Sequence, residues 1–247
     1  MGIELEMEAT RGAYAADLAQ IAKDHLDGFA YYKHDGSLRD GVELVTHPAT
    51  LEAFKFMDWS CLAKIAEAGG RSWNTTTCGL HIHLSRSAFS GVTHLWLFSQ
   101  FFSENRQQLV TLAGRESSYA SFGIELKKDI KLASKKRRGT ARYLAVNFTN
   151  NTTIELRLFR GSLLKERVFA QVELTDAIFN YTSELNSNKV LANSKTWKDA
   201  TTVGVLGWAA FTQYCLDRKE VYPNLCNYLE TLLLLPSNNP TIPGDDF

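Results

Sequence analysis

The chain has no surplus of either charge: 27 lysines and arginines balance 27 aspartates and glutamates. That balance excludes a global field drawing it to nucleic acid or a membrane surface, so any such contact needs a local patch. No apolar run approaches the roughly 18 residues of a membrane span, and the first residues form a polar strand pattern instead of a basic and then apolar leader. These absences predict a cytoplasmic protein. The four cysteines, Cys61, Cys78, Cys215 and Cys226, form no CxxC pair and no dense framework, which predicts reduced thiols packed as small apolar residues. Asn-X-Thr triplets such as Asn150-Asn151-Thr152 match a glycosylation pattern but lack the secreted context it requires. The Gly-rich phosphate cradles are missing too: there is neither GxxxxGK followed by Ser or Thr nor GxGxxG after a strand. No internal repeat or low-complexity tract is found.

What is present is enough apolar content, 45% of 247 residues, for one domain with a substantial core. Strand patterns cover Ile3 to Glu8, Phe29 to Lys33, Gly41 to Thr46, Gly79 to Ser85, Tyr143 to Thr149 and Thr153 to Phe159. Two pairs of them flank turn signals, Asp35-Gly36 and Asn150-Asn151, and read as hairpins or slightly longer β-loops. Helical patterns cover Ala13 to Leu26, Ala49 to Ala68 behind Pro48, Val92 to Ala113, and roughly 165–186, 197–218 and 224–235. Gly123 to Gly139 loses its apolar rhythm and reads as a mobile surface segment, and the tail after Leu235 is expected to fray. The expected fold is α+β: a mainly antiparallel sheet covered by helices on one face, with a helical C-terminal third. It is expected as a single catalytic domain over 1–247, with the sheet core in 1–186 and a helical extension and tail in 187–247.

Chemistry resides in strands that alternate aliphatic and ionisable residues. Glu4-Leu5-Glu6-Met7-Glu8, His81-Ile82-His83 and Glu155-Leu156-Arg157 would each pack aliphatics against a core and present charge on the other face. Glu43, between Val42 and Leu44, has the same pattern. Each stretch also has a plain reading. Alternating carboxylates suit a soluble edge strand, two histidines suit a half-exposed strand, and Glu-x-Arg suits a surface ion pair. Four strands with complementary carboxylates, imidazoles and guanidiniums shift the balance toward one metal site with an anionic partner. Carboxylates in a row repel unless a cation lies between them, and Mg²⁺ or Mn²⁺ takes such ligands. Arg142, Asn147 and Arg160 near Arg157 supply donors suited to phosphate oxygens. The basic run from Lys127 to Arg138 suits a solvated loop or a closure over polyphosphate; no aromatics interleave with it, which argues against nucleic acid. Trp73, Trp96, Trp197 and Trp208 are read as core packing.

Taken in order, Gly2 to Glu6, Asp35 to Leu38, Gly41 to Pro48, Cys78 to His83, Arg142 to Asn147 and Thr153 to Gly161 resemble the amidoligases, a family of phages and bacterial gene clusters related to glutamine synthetase and glutamate–cysteine ligase. The similarity spans about residues 2–175. It implies a glutamine-synthetase-type catalytic sheet that binds ATP and Mg²⁺ or Mn²⁺ in a funnel, with Glu4, Glu6, Glu43, His81 and Glu155 as metal ligands. It also implies that Arg157 and Arg142, with Arg160 and Arg115, hold phosphate or substrate carboxylate, and that His83 lies near the nucleotide. The implied reaction joins a small-molecule or peptide carboxylate to an amine through an acyl phosphate, in the host cytoplasm if a phage encodes the chain. Relatives that share sites between subunits make a homo-oligomer an expectation. Two alternatives stay open: a metal-dependent hydrolase using the Glu/His cluster without ATP, and a non-catalytic binding protein that keeps the fold. Every version requires the strand that starts at Gly2 to be ordered.

Overall fold

Alternation along the strands separates into two faces of one sheet. The computed structural model describes residues 1–133, 135, 137–185 and 204–234. Strand β1 (Gly2–Ala9) pairs on one edge with β3 (Gly41–Thr46) and on the other with β5 (Gly79–Ser85) and, at its end, the short β4 (Gly70–Arg71). The sheet continues outward through β2 (Ala30–Lys33) beyond β3, and through β7 (Thr153–Arg160) and β6 (Val146–Asn147) beyond β5. All these strand pairs are antiparallel, so the α+β expectation holds. The first strand is ordered because it is central. It is hydrogen-bonded along both edges, and the Met1 ammonium donates to Ala49 O at 2.6 Å.

Ile3, Leu5 and Met7 on β1, Leu44 on β3, Leu80 and Ile82 on β5 and Ile154 and Leu156 on β7 are all fully buried in one continuous core. Helix α1 (Ala15–Leu26) packs on β1, β2, β3 and α3 (Cys61–Glu67), and α7 (Lys165–Ser183) packs on β5 and on α2 (Leu51–Phe56). The core continues through α4 (Val92–Glu104), α5 (Arg106–Ala113), α6 (Ile124–Ala133), α8 (Trp208–Leu216) and α9 (Pro223–Leu234). All four cysteines are free and buried. Among the described residues no helix is long and apolar enough to cross a membrane.

Several expected elements differ, two helices through side chains that bond to the backbone and one strand through backbone bonds to loops. The helix expected over Ala49 to Ala68 is two. Thr50 caps α2 by accepting the Ala53 N–H at 3.2 Å. The chain then breaks where Met57 is extended, the Trp59 indole donates to Phe54 O at 2.7 Å, and Asp58 accepts the Ser60 N–H at 3.1 Å. The helix expected over Val92 to Ala113 splits at buried Asn105, whose amide donates to Phe101 O and Leu206 O, both at 3.0 Å. The strand expected over Tyr143 to Thr149 shortens to two residues because neighbouring backbone groups bond to loops: Ala145 N–H to Ser121 O, and Gly139 N–H to Phe148 O. The first part of the helix expected over 197–218, including Trp197, and the tail after Leu235 lie outside the described residues.

The segment Gly123 to Gly139, expected to be mobile surface, instead contains α6 with Leu126, Ile130 and Ala133 buried and Lys127, Lys128 and Lys131 exposed. Its anchor is Asp129, which has no solvent exposure. The Asp129 carboxylate accepts the Thr140 N–H at 2.9 Å, the Thr140 hydroxyl at 3.0 Å and the Ala141 N–H at 3.1 Å. Asp129→Ala removes the buried charged acceptor shared by those three donors and should cost about 1–3 kcal/mol in denaturant unfolding. It should also speed amide exchange across 124–141; wild-type stability and exchange would show that this anchor does not hold the segment.

Candidate metal centre in a carboxylate and histidine cleft

Register places the site. Directly opposed residues of paired strands share a face, and β1 and β3 pair Glu6 with Glu43, while β1 and β5 pair Glu4 with His81. His83 is opposite Gly2 on one side and Glu155 on the other, and Asn147 of β6 is opposite Glu155. Lys33 of β2 is opposite Glu43. The side chains of Glu4, Glu6, Lys33, Glu43, His81, His83, Glu155 and Arg157 therefore line one cleft of about 380 Å³ on the sheet face turned away from the aliphatic core. A bulge disturbs the pattern once: β7 uses one more residue than β5 between the Leu80–Phe159 and Ile82–Leu156 pairs. Leu158 and Phe159 are consequently both buried, which simple alternation would not allow.

Donor atoms of Glu4, His81 and Glu155 lie within 4.8 Å of one another. His81 Nδ1 is 3.5 Å from Glu4 Oε2 and 3.6 Å from Glu155 Oε1, and His83 Nε2 is 3.3 Å from Glu4 Oε1. Ligands held at about 2.1 Å by one small cation are at most about 4.2 Å apart, a limit that both His81 separations meet. Glu155 is itself held in place. Asn147 donates to its Oε2 at 2.7 Å, and the Arg157 guanidinium contacts the same Oε1 that faces His81. Glu6 accepts the Gly79 N–H at 2.6 Å. Lys33 Nζ lies 3.1 Å from Glu43 Oε2 and 3.8 Å from Glu4 Oε1.

Charge makes this cleft receptive to a cation. Five carboxyl groups, of Glu4, Glu6, Asp35, Glu43 and Glu155, line it against three permanent positive charges, of Lys33, Arg142 and Arg157. The carboxylates respond unequally. For Glu4 burial acts upward, but the imidazoles of His81 and His83 against it, the charge of His83 and the neighbouring Glu43 outweigh it and hold the carboxyl far below its usual range. For Glu43 burial, then the neighbouring Glu4, pushes the carboxyl up to about 8 against the pull of Lys33. Burial likewise raises Glu6, opposed by His81 and the Gly79 N–H. One charge has been pushed off the Glu4–Glu43 pair, which an ion of two positive charges would restore.

The sequence-derived ligand set of Glu4, Glu6, Glu43, His81 and Glu155 thus shares one cleft with His83, Arg142 and Arg157. Three expected anion-binding residues do not line it. Asn147 directs its amide to Glu155. Arg115 donates to Cys78 O at 3.1 Å and Arg157 O at 2.9 Å, pinning β5 to β7 in space kept open by Gly79. Arg160 donates to Trp73 O at 2.7 Å and stacks on the Trp73 ring, with Arg167 on that ring as well. Trp73 is therefore a guanidinium platform rather than simple core. Glu8 turns away from the cleft to accept the Arg39 N–H and the Thr77 hydroxyl. Sequence reasoning missed Lys33, legible only once the hairpin register is counted, and Tyr119 with Tyr143. Those two rings form an edge-to-face pair 5.2 Å apart beside the cleft, and no periodic signal marks them.

No protein-family model and no curated protein matches the chain.

Two outcomes test the centre. Asn147→Ala should weaken Mn²⁺ binding by about 10–100-fold in calorimetry, as loss of a ligand's own partner does; unchanged affinity would remove Glu155 from the ligand set. Glu43 holds its proton to about pH 8 in the folded chain but releases it near 4.5 when unfolded. Its contribution to stability is complete below the lower value and lost as pH rises through the higher one. Metal-free Glu43→Gln should lack that decline, and parallel stability curves for the two proteins across this window would contradict the assignment.

Proposed function

We propose that the chain is an ATP-dependent carboxylate–amine ligase built on a sheet of glutamine-synthetase catalytic type. The observation that carries this reading is the convergence of Glu4, His81 and Glu155 within 4.8 Å in a cleft whose wall also bears Arg142 and Arg157. The donor set suits a divalent cation: carboxylate oxygens match Mg²⁺ or Mn²⁺, and imidazole nitrogen favours Mn²⁺ of the two. Glu4, His81 and Glu155 would hold one ion, with Glu6 and Glu43 beside them. Bound there, it supplies charge neutralisation for a polyphosphate.

The chain's own residues supply the rest. Arg157 shares Glu155 Oε1 with His81, so with that oxygen held by a cation the guanidinium would be available to an anion in the cleft. Arg157 and Arg142 then orient phosphate oxygens and stabilise charge on the transferring phosphoryl group. The Tyr119–Tyr143 pair offers aromatic faces at the rim for a nucleobase. A carboxylate oxygen attacks the γ-phosphorus, the bond to the bridging oxygen breaks and ADP leaves. An amine nitrogen then attacks the acyl carbon, phosphate departs, and the ammonium proton passes to solvent.

A second reading, a metal-dependent hydrolase, is favoured by both imidazoles contacting the Glu4 carboxylate. One assay separates the two. With ATP, Mn²⁺ and mixed acids and amines, ADP release should require both organic partners. It should fall about 100-fold or more in Glu155→Gln, given that the partners of metal ligands alone account for about 10–100-fold. Amide or phosphoester cleavage indifferent to ATP would sink the ligase reading.

A further inference from the structure

A second cavity, of about 410 Å³, opens where α4 begins, and its rim is cationic. Arg86 follows β5, Arg137 and Arg138 follow α6, and all three border it together with Asn150 and Asn151 of the β6–β7 turn. Its floor is apolar: Phe89, Val92, Leu95 and Ala133. Two of the guanidiniums are fixed in place. Arg86 donates to Asn150 O at 3.0 Å and Phe148 O at 2.7 Å, and Arg138 donates to Thr149 O at 2.8 Å, so both are tethered to one turn. Among the described residues no carboxylate pairs with Arg86, Arg137 or Arg138, and none borders the cavity.

Tethering like charges side by side without a counter-charge is unfavourable. Its effect is visible on Arg86, whose pKa is lowered by burial and then by Arg138. Helix α4 adds to the same field. It starts at Gly91 with no side-chain cap and no acid in its first turn, so its positive end faces the cavity without a partner. A concave site with an apolar floor, fixed guanidinium donors and a helix N-terminus is complementary to a molecule with an apolar body and one anionic end. A nucleic-acid strand fits it less well, because its only aromatic lining residue is Phe89, which offers no ladder for successive bases.

We propose that this cavity binds a small amphipathic anion, a carboxylate or phosphate on an aliphatic or aromatic body, with Arg86, Arg137 and Arg138 receiving the charged end and Phe89, Val92 and Leu95 the apolar one. The site is separate from the Glu/His cleft, although Asn150 borders both. It does not depend on the ligase reading.

Phenylacetate, phenyl phosphate, inorganic phosphate and benzyl alcohol, titrated by calorimetry and by NMR shift mapping, test the idea on the whole chain. At least one of the two aromatic anions should bind, and the tighter of them identifies carboxylate or phosphate as the charged end. Benzyl alcohol and inorganic phosphate should each bind about tenfold more weakly or worse, each lacking one half of the recognition. Arg137→Gln, whose side chain anchors no backbone, should weaken the aromatic anion about tenfold, and Val92→Trp should block it by filling the cavity. Glu155→Gln should leave it unchanged, which keeps failure here distinguishable from failure of the cleft reading. Equal binding of benzyl alcohol, indifference to both Arg137→Gln and Val92→Trp, loss of binding in Glu155→Gln, or no binding of either aromatic anion would overturn the proposal.

Discussion

Mutual repulsion among buried carboxylates is the constraint around which the charged face of this sheet is arranged. Glu6, Glu43 and Glu155 are each less than a tenth exposed, and Glu4 lies between them. The fold relieves that repulsion in three ways: it places imidazoles against Glu4, places Lys33 and Arg157 against Glu43 and Glu155, and allows the Glu43 carboxyl to keep its proton into the neutral range. What remains is a carboxylate-rich cleft in which Glu4, His81 and Glu155 could hold a cation.

The other face obeys a simpler rule. The aliphatics between the charges enter one core with the helices, so each strand anchors the fold through one set of residues and offers chemistry through the next. This is why the strands and the charged residues that share the cleft were legible in the sequence: a two-residue period needs no partner to be seen. Glu4, Glu43, His81 and Glu155 could be placed on a common face before any pairing was known. The near neighbours of the site were not legible in the same way. Lys33 becomes relevant only through its register opposite Glu43. The donors of Asn147, Arg115 and Arg160 point to Glu155 or to backbone carbonyls for reasons of three-dimensional proximity. Side-chain bonds to the backbone also broke two expected helices, at Met57 and at Asn105, and they have no periodicity to read. In α6 the stripe of Leu126, Ile130 and Ala133 was hidden among lysines that only decorate its exposed side.

The β6–β7 hairpin connects the two cavities. One of its strands carries Glu155 and Arg157, the other carries the Asn147 that steadies Glu155, and its turn receives the tethers from Arg86 and Arg138. The cationic cavity and the carboxylate cleft thus draw on opposite ends of one short hairpin, with Asn150 bordering both.

The central position of β1 has a consequence for how the site comes into being. Glu4 and Glu6 meet Glu43 and His81 only after segments some forty and eighty residues apart in the chain have paired on both edges of that strand. No local fragment can assemble the cleft. Its formation coincides with closure of the sheet, and its loss requires opening the sheet at its middle. The charged lining is thus tied to the most non-local step of folding, and a cation that stabilises the lining would act as a clasp on the topology itself, slowing unfolding of the whole sheet rather than of one loop.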